Sequence, residues 1–239
     1  MRRRTVSGLI ADILFPAICP VCGDIPQAGL LICPECSKKL PWIRGRRCAK
    51  CGKELEGTGP FCSDCRVTPH SFRQGASIFR YDDVIRKALS KLKYKGCREF
   101  GEVLGELISG PAGLLIAGWN PDAVVPVPVH PSKLKSRGYN QAEVLWKCTA
   151  SGCGIPMLPG LLERRRKTEA LKRLTREERR EEVGRAFYVP AGAKVPKKVL
   201  VADDIYTTGA TADACASALL RAGASEVFFI AAASGGGLQ

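Results

Sequence analysis

The 239-residue sequence predicts an α/β protein, a parallel sheet flanked by helices, with a small cysteine-bound metal module at its N-terminal end. Two observations lead there. Toward the C-terminus, the apolar run Val199–Ala202, a polar glycine-containing loop, a helical segment Thr211–Ala222 and a second apolar run Val227–Ala231 follow one another. Strand, helix and strand joined by short loops form the right-handed parallel crossover from which α/β sheets are built. Near the N-terminus, eight of the twelve cysteines fall in four C-x-x-C pairs. Composition sets the outer limits: 45% hydrophobic and 25% charged residues is globular usage, which excludes a disordered tail or a collagen-like repeat. The length accommodates a medium domain with an appendage, assigned here as residues 69–239 and 1–68. No apolar run approaches the ~20 residues of a membrane span, so a soluble chain is expected.

Met1-Arg-Arg-Arg followed by Val6–Ile18 imitates a secretory signal, but Asp12 and Pro16 interrupt its apolar core, and an amphipathic lead into the metal module is expected instead. The pairs are Cys19/Cys22, Cys33/Cys36, Cys48/Cys51 and Cys62/Cys65, separated by ten, eleven and ten residues. A C-x-x-C turn aims two thiolates at one centre, and two such turns complete a tetrahedral zinc shell. Gly23 and Gly52 follow their pairs, where a knuckle calls for positive φ. Sequential pairing is the simplest arrangement; a cross-braced one satisfies the same spacing. Disulfides would need an oxidising compartment, and redox C-x-x-C motifs occur singly at the head of a helix. Two structural zinc ions and a cytoplasmic location are therefore expected. Cys97, Cys148, Cys153 and Cys215 lack such spacing and are expected as small buried hydrophobes.

After a boundary at Pro69 and Gly75, Ala76–Tyr81 reads as a strand. Val84, Ile85, Ala88, Leu89 and Leu92 recur at helical spacing, interleaved with Arg86, Lys87, Lys91, Lys93 and Lys95, which makes a basic amphipathic helix. A second helix carries Phe100, Val103, Leu104, Leu107 and Ile108 on one stripe and is expected to end at Gly110-Pro111. Tyr94 and Phe100 are expected in the core or as a lid. Ala123–Val129 is a buried strand running into a proline-stiffened loop, His130–Gln141, with a helix from Ala142. The segment Glu163–Arg185 holds ten Lys/Arg and six Glu, with a capping box at Thr175-Arg-Glu-Glu178, and Ala186–Val189 reads as a strand.

The stretch Val199-Leu-Val-Ala-Asp-Asp-Ile-Tyr-Thr-Thr-Gly-Ala-Thr211 carries the chemistry. Its four apolar residues make a central strand, and two carboxylates stand at the C-terminal edge where ligands bind open α/β sheets. Thr207, Thr208, Gly209, Ala210 and Thr211 then lie at a helix N-terminus, where free N–H groups and the dipole favour a phosphate. Asp203 and Asp204 can accept from a sugar cis-diol one ribose away from that phosphate. Neither G-x-G-x-x-G nor the P-loop G-K-[ST] occurs, which excludes the usual dinucleotide and triphosphate cradles.

This stretch resembles the phosphoribosyl-pyrophosphate signature of type I phosphoribosyltransferases. The whole chain, over roughly residues 9–234, resembles the ComF family (ComFC or GntX-like proteins). These join a double zinc ribbon to a type I phosphoribosyltransferase-like parallel sheet. The likeness rests on the Cys19-Pro-Val-Cys-Gly23 opening, the four cysteine pairs, Tyr81…Leu92-Lys93-Tyr94, Pro126-Val-Pro128, Arg137-Gly-Tyr-Asn-Gln141, the Arg-rich segment before Ala186-Phe187, and the signature. It implies that Asp203 and Asp204 hold the ribose hydroxyls and that Thr207–Thr211 hold the 5-phosphate. Arg137 and Lys133 would meet the pyrophosphate leaving group, with Asn140 and Gln141 opening the next helix and orienting Arg137. Leu171 and Glu182 depart from a Gln and an Asn common in the family, which touches acceptor contacts more than diphosphate binding.

The resemblance implies Mg2+ with phosphoribosyl pyrophosphate, and displacement at the anomeric carbon through an oxocarbenium-like transition state. The acceptor and general base are not identified; His70 and His130 read as bystanders. A second implied reading is a competence-related module that handles single-stranded DNA beside DNA-uptake machinery. A third is a non-catalytic sensor of the diphosphate. The formal charge of +14 bears on both of the first two. Residues 1–65 hold ten Lys/Arg and six Asp/Glu, so two Zn2+ with eight thiolates make that module formally neutral. The surplus, 27 Lys/Arg against 17 Asp/Glu, lies in residues 66–239.

Overall fold

The structure is a computed structural model, and it describes residues 18–94, 97–164 and 186–235. Two single-turn helices, α1 (Pro34–Lys38) and α2 (Ser63–Val67), open on Cys33 and Cys62 inside the metal module. Then follow β1 (Gln74–Arg80), α3 (Asp83–Lys91), α4 (Arg98–Ala117), β2 (Ala123–Pro126), α5 (Pro131–Arg137) and α6 (Gln141–Gly152). The chain continues with β3 (Glu163–Arg164), β4 (Phe187–Tyr188), β5 (Lys198–Tyr206), α7 (Ala210–Arg221) and β6 (Glu226–Ser234). Four strands form one sheet in the order β1-β6-β5-β2, every pair parallel. The β3–β4 pair is a short antiparallel ribbon.

The two central strands are buried on both faces, which is why β5 and β6 read as near-continuous apolar runs. Alternate residues point to opposite layers. Leu200, Ala202, Phe228 and Ile230 pack with Leu89 of α3, Leu104 and Ile108 of α4, and Leu145 and Trp146 of α6. Val199, Val201, Val227 and Phe229 pack with Cys215 and Leu219 of α7, Phe187 and Phe72.

The metal module straddles the β1 edge. Cys19, Ile32, Cys36 and Leu40 join the first layer, while Cys48 and Cys51 join the second. Between them the linker pairs with the edge strand: Ile43 donates its N–H to Ile78 O (3.0 Å), and Arg80 donates to Pro41 O (2.8 Å). An otherwise open strand edge is thereby covered. The approach is closest at Gly52, whose φ is +73° and where a Cβ would lie 2.5 Å from Gly75 O. Arg47 secures the dock by donating to Ile43 O (2.8 Å) and to Ser77 O.

Four expectations change. The stretch His130–Gln141, expected as a proline-stiffened loop, holds helix α5, because Pro131 suits a first helical position and His130 caps it. The second helix runs through Pro111 to Ala117, because Leu104, Ile108, Ala112 and Ile116 continue one fully buried stripe past the proline. An interior proline costs ~3 kcal/mol, which burying Ile116 at about 1.5–3 kcal/mol and its neighbours offsets. By length and composition α4 could cross a membrane, yet that stripe is spent on the sheet. Of the four unpaired cysteines only Cys215 is buried; Cys97 is half-buried, and Cys148 and Cys153 are exposed on and just beyond the outer side of α6. Tyr94 is exposed rather than in the core, because α3 has already ended at Lys91. The Thr175 capping box and the lead segment before Ile18 lie outside the described residues.

Helices α4 and α6 touch backbone to backbone at Gly105, where a Cβ would sit 2.5 Å from Leu145 O. Gly105→Ala should therefore lower unfolding stability by about 2 kcal/mol despite alanine's better helix propensity. A denaturant melt showing equal or higher stability would contradict this packing.

Candidate functional site

The eight paired cysteines form two separate clusters, Cys19/Cys22/Cys33/Cys36 and Cys48/Cys51/Cys62/Cys65, each with its ligand sulfurs within 4.8 Å of one another. This is the sequential arrangement, not the cross-braced one. Cys22 and Cys33 sulfurs are 3.7 Å apart, as are those of Cys51 and Cys62. That spacing matches the edge, about 3.8 Å, of a tetrahedron with ~2.3 Å Zn–S bonds. Hydrogen bonding from Cys65 draws the Cys51 thiol down to about 5, while burial pushes Cys62 up to about 11 and the hydrogen bond to Cys51 pushes Cys65 up. All-cysteine shells leave no open coordination position, so both ions are structural.

The second candidate region is the C-terminal edge of the sheet. Strand β5 runs through both aspartates to Tyr206, and Asp203 and Asp204 are buried to 8% and 7% exposure. Asp204 N–H donates to Asp203 Oδ1 (2.8 Å), and Trp146 Nε1 donates to Asp203 O (2.8 Å), which fixes the strand beneath the pair. Burial, followed by the Asp204 charge, holds the Asp203 carboxyl well above the usual range, while Lys93 pulls it down. The Lys93 ammonium lies 3.9 Å from Asp204 Oδ2.

The loop after β5 and the first turn of α7 share a cavity of about 50 Å3 with Asp203, Tyr206 and Phe229. Thr207 and Thr208 are exposed, Ala210 and Thr211 half-buried, and Gly209 is the α7 N-cap at φ +86°. A Cβ at Gly209 would meet Tyr206 Oη at 2.6 Å and His70 Cε1 at 2.7 Å, so only glycine closes this loop. Beneath it His70 Nδ1 pairs with Asp213 Oδ2 (2.8 Å), and Ser71 N–H donates to Asp213 Oδ1 (2.8 Å). His70 thus ties the segment leaving the metal module to the first turn of α7, a role its sequence context hid.

The Arg137–Gln141 motif lies apart from the loop. Arg137 is buried, donating from Nε to Lys93 O (3.2 Å) and from Nη1 to Gln141 Oε1. Asn140 caps α6, accepting from Ala142 N–H (3.0 Å) while donating to Val127 O (3.0 Å). Lys133 is exposed on α5, one turn before Arg137, and His130 accepts from Ser132 N–H (3.2 Å) as that helix's cap. The structure therefore brings Asp203, Asp204 and Thr207–Thr211 together directly. Arg137, Asn140 and Gln141 are joined to them through Lys93 and the β2 end. Trp146 was not singled out by sequence, and His70 was read as a bystander. Lys93 and Tyr139 were named only within the motifs Leu92-Lys93-Tyr94 and Arg137–Gln141, with no role assigned to either.

A larger groove of about 1190 Å3 runs between the second cysteine cluster and the ends of β1 and β6, past Trp42, Phe61 and Tyr81. Its cations Arg44, Lys53, Arg66 and Arg80 are matched by Glu54, Glu56, Asp64 and Asp82, with Lys53–Asp64 at 2.8 Å and Arg80–Glu54 at 3.1 Å.

Comparison with known proteins agrees with the metal sites. Residues 10–66 match the family model of the double zinc ribbon domain. The chain is 27% identical over 201 residues to competence protein ComFC of Bacillus subtilis (strain 168), covering 80% of this chain and 79% of that protein. It is 28% identical to competence protein ComFC of Streptococcus pneumoniae, covering 82% and 84%. It is 26% identical to DNA utilization protein YhgH of Salmonella typhi, covering 88% and 87%. The likeness to the ComF family thus extends over most of the chain, double zinc ribbon included.

Elemental analysis of the purified chain should give two zinc per molecule. Cys51→Ser should remove one of the two and lower the melting temperature, because Cys51 is fully buried in the second core layer. Loss of both ions, or of none, would overturn two independent sites.

Proposed function

We propose that this chain binds Mg2+-phosphoribosyl pyrophosphate at Asp203, Asp204 and the Thr207–Thr211 loop, as a phosphoribosyltransferase-type protein in a competence-related role. One observation carries the reading. Asp203 of a buried diacid and a glycine-closed loop at a helix N-terminus share one cavity at the C-terminal edge of a parallel sheet, with Asp204 beside it on the strand. Two carboxylates are hard oxygen donors that accept from a ribose cis-diol and suit Mg2+. The N–H groups of the loop satisfy a phosphate, and Gly209 lets the backbone approach it. Lys133 and Arg137 are the cations proposed for the diphosphate side. Mg2+ would supply neutralisation of charge on the departing diphosphate. The protein's own part is to fix the ribose by its hydroxyls and phosphate, so that the anomeric carbon is presented in one orientation. The thiolates of both ribbons suit a cytoplasmic setting.

A calorimetric titration with Mg2+-phosphoribosyl pyrophosphate should show one site per chain, and Asp204→Asn should abolish it with both zinc ions retained. Unchanged binding by that variant would remove the diacid from the site.

A second reading, single-stranded DNA handling, is supported by the names of the relatives and by the charge surplus in residues 66–239. The large groove gives it no electrostatic help, since its charges balance. Under this reading, affinity for an oligonucleotide should fall steeply with salt as bound cations are released from the strand. A flat response between low and physiological salt would exclude it.

A further inference from the structure

We infer that Lys93 is the working cation of the Asp203/Asp204 site, and that Arg137 and Tyr139 serve the site by holding Lys93 in place. The ligand-facing half of this inference rests on the phosphoribosyl reading; the other half does not.

The observations begin with the end of α3. A helix C-terminus leaves carbonyls without intrahelical partners. Just past that end, two buried side chains from the α5–α6 turn meet three consecutive carbonyls. Tyr139 shares its one O–H between Leu92 O (2.9 Å) and Tyr94 O (3.1 Å), and Arg137 Nε donates to Lys93 O (3.2 Å). Gln141 steadies the guanidinium, and Asn140 ties the same turn to Val127 O at the end of β2. Arg137 and Tyr139 thereby converge on one backbone segment, and Lys93 is the residue at its centre.

From that segment Lys93 reaches toward the diacid. At 3.9 Å its ammonium forms an ion pair with Asp204 but no hydrogen bond. Among the described residues its three N–H groups have no hydrogen-bonded acceptor. Its side chain is half-exposed, so those donors face the open side of the site. Lys91, two residues earlier, is committed elsewhere: it lies 3.4 Å from Pro20 O and Val21 O of the first zinc knuckle and over the Phe100 ring. Among the described residues, the other charged or titratable groups facing Asp203 are Asp204 on its own strand, Arg164 of β3 and Cys215 of α7.

An ammonium so placed does two things. In the free protein it favours the ionised diacid, the form that accepts sugar hydroxyls. With ligand present, its uncommitted N–H groups are available to an anionic oxygen beside the ribose.

The test uses the full zinc-loaded chain. In the ligand-free protein, the 13C carboxyl signal of Asp203 is titrated by NMR in the natural chain, Lys93→Met and Lys93→Arg. Removing the cation should move the titration to higher pH, and arginine should restore it. Tyr139→Phe should give a smaller displacement in the same direction. For Mg2+-phosphoribosyl pyrophosphate, Lys93→Met should bind about tenfold more weakly, as expected for a lost charged hydrogen bond. Its binding should also rise with pH over a higher range than that of the natural chain. A carboxyl titration unmoved in Lys93→Met, with zinc content and melting temperature unchanged, would overturn the assignment. Displaced titration together with no diphosphate binding by the natural chain would refute the phosphoribosyl reading and leave Lys93 as the partner of the diacid.

Discussion

Two adjacent carboxylates buried at the end of a central strand set the terms for everything around them. Two like charges removed from water resist ionisation, and the shifted Asp203 shows it. The surroundings answer from several directions. Trp146 from α6 holds the Asp203 carbonyl, the Asp204 N–H bonds the Asp203 carboxylate, and Lys93 supplies positive charge from the end of α3. Beyond the diacid, the α7 N-terminus turns a positive dipole end toward the same cavity. A strand can carry such a pair only where helices and loops from both layers converge on one edge of the sheet. The order β1-β6-β5-β2 places β5 where they do.

The zinc ribbons gain meaning from this geometry. They are not beads on a linker, since their cysteines are part of both core layers and their connecting segment pairs with β1. The first knuckle presents its Pro20 and Val21 carbonyls to Lys91, which steadies the helix end that carries Lys93. The second places Lys53 over the Tyr206 ring, 5.4 Å from its centre, and Tyr206 in turn lies against Gly209 of the loop. The exit from the second ribbon delivers His70 to Asp213. Each metal centre thus braces one side of the same site through a short chain of contacts. Metal rigidity there does what a larger core would do in a bigger domain.

Legibility from sequence followed the range of the interaction. The cysteine pairs and the crossover Val199–Ala231 are local patterns with fixed spacing, and both were readable. Asp203 and the Gly209 loop are close in sequence, so their shared cavity could be anticipated from one stretch of thirteen residues. What escaped were pairings between distant segments. Lys93 and Asp204 meet only because the Arg137–Gln141 turn holds the end of α3, and His70 meets Asp213 only across the whole domain. The helix end expected at Gly110-Pro111 failed for a related reason, since a local breaker gave way to a buried stripe whose partners lie elsewhere in the chain.

The charge balance now separates by place. The loaded ribbons are formally neutral, and the wide groove beside the second ribbon matches cation for anion. Neither is built to hold a long polyanion by charge alone. The described cations in excess sit on α3 and α5, which the Arg137–Gln141 turn locks together, and at Lys194, Lys197 and Lys198 before and at the start of β5. A compact anion bound at the diacid edge would meet the charge of α3 and α5 at short range, where it is least screened by salt. An extended strand would meet it only where its backbone crosses the same edge. Under the proposed reading, a phosphorylated sugar at that edge, free or part of a chain, would lie beside this charge.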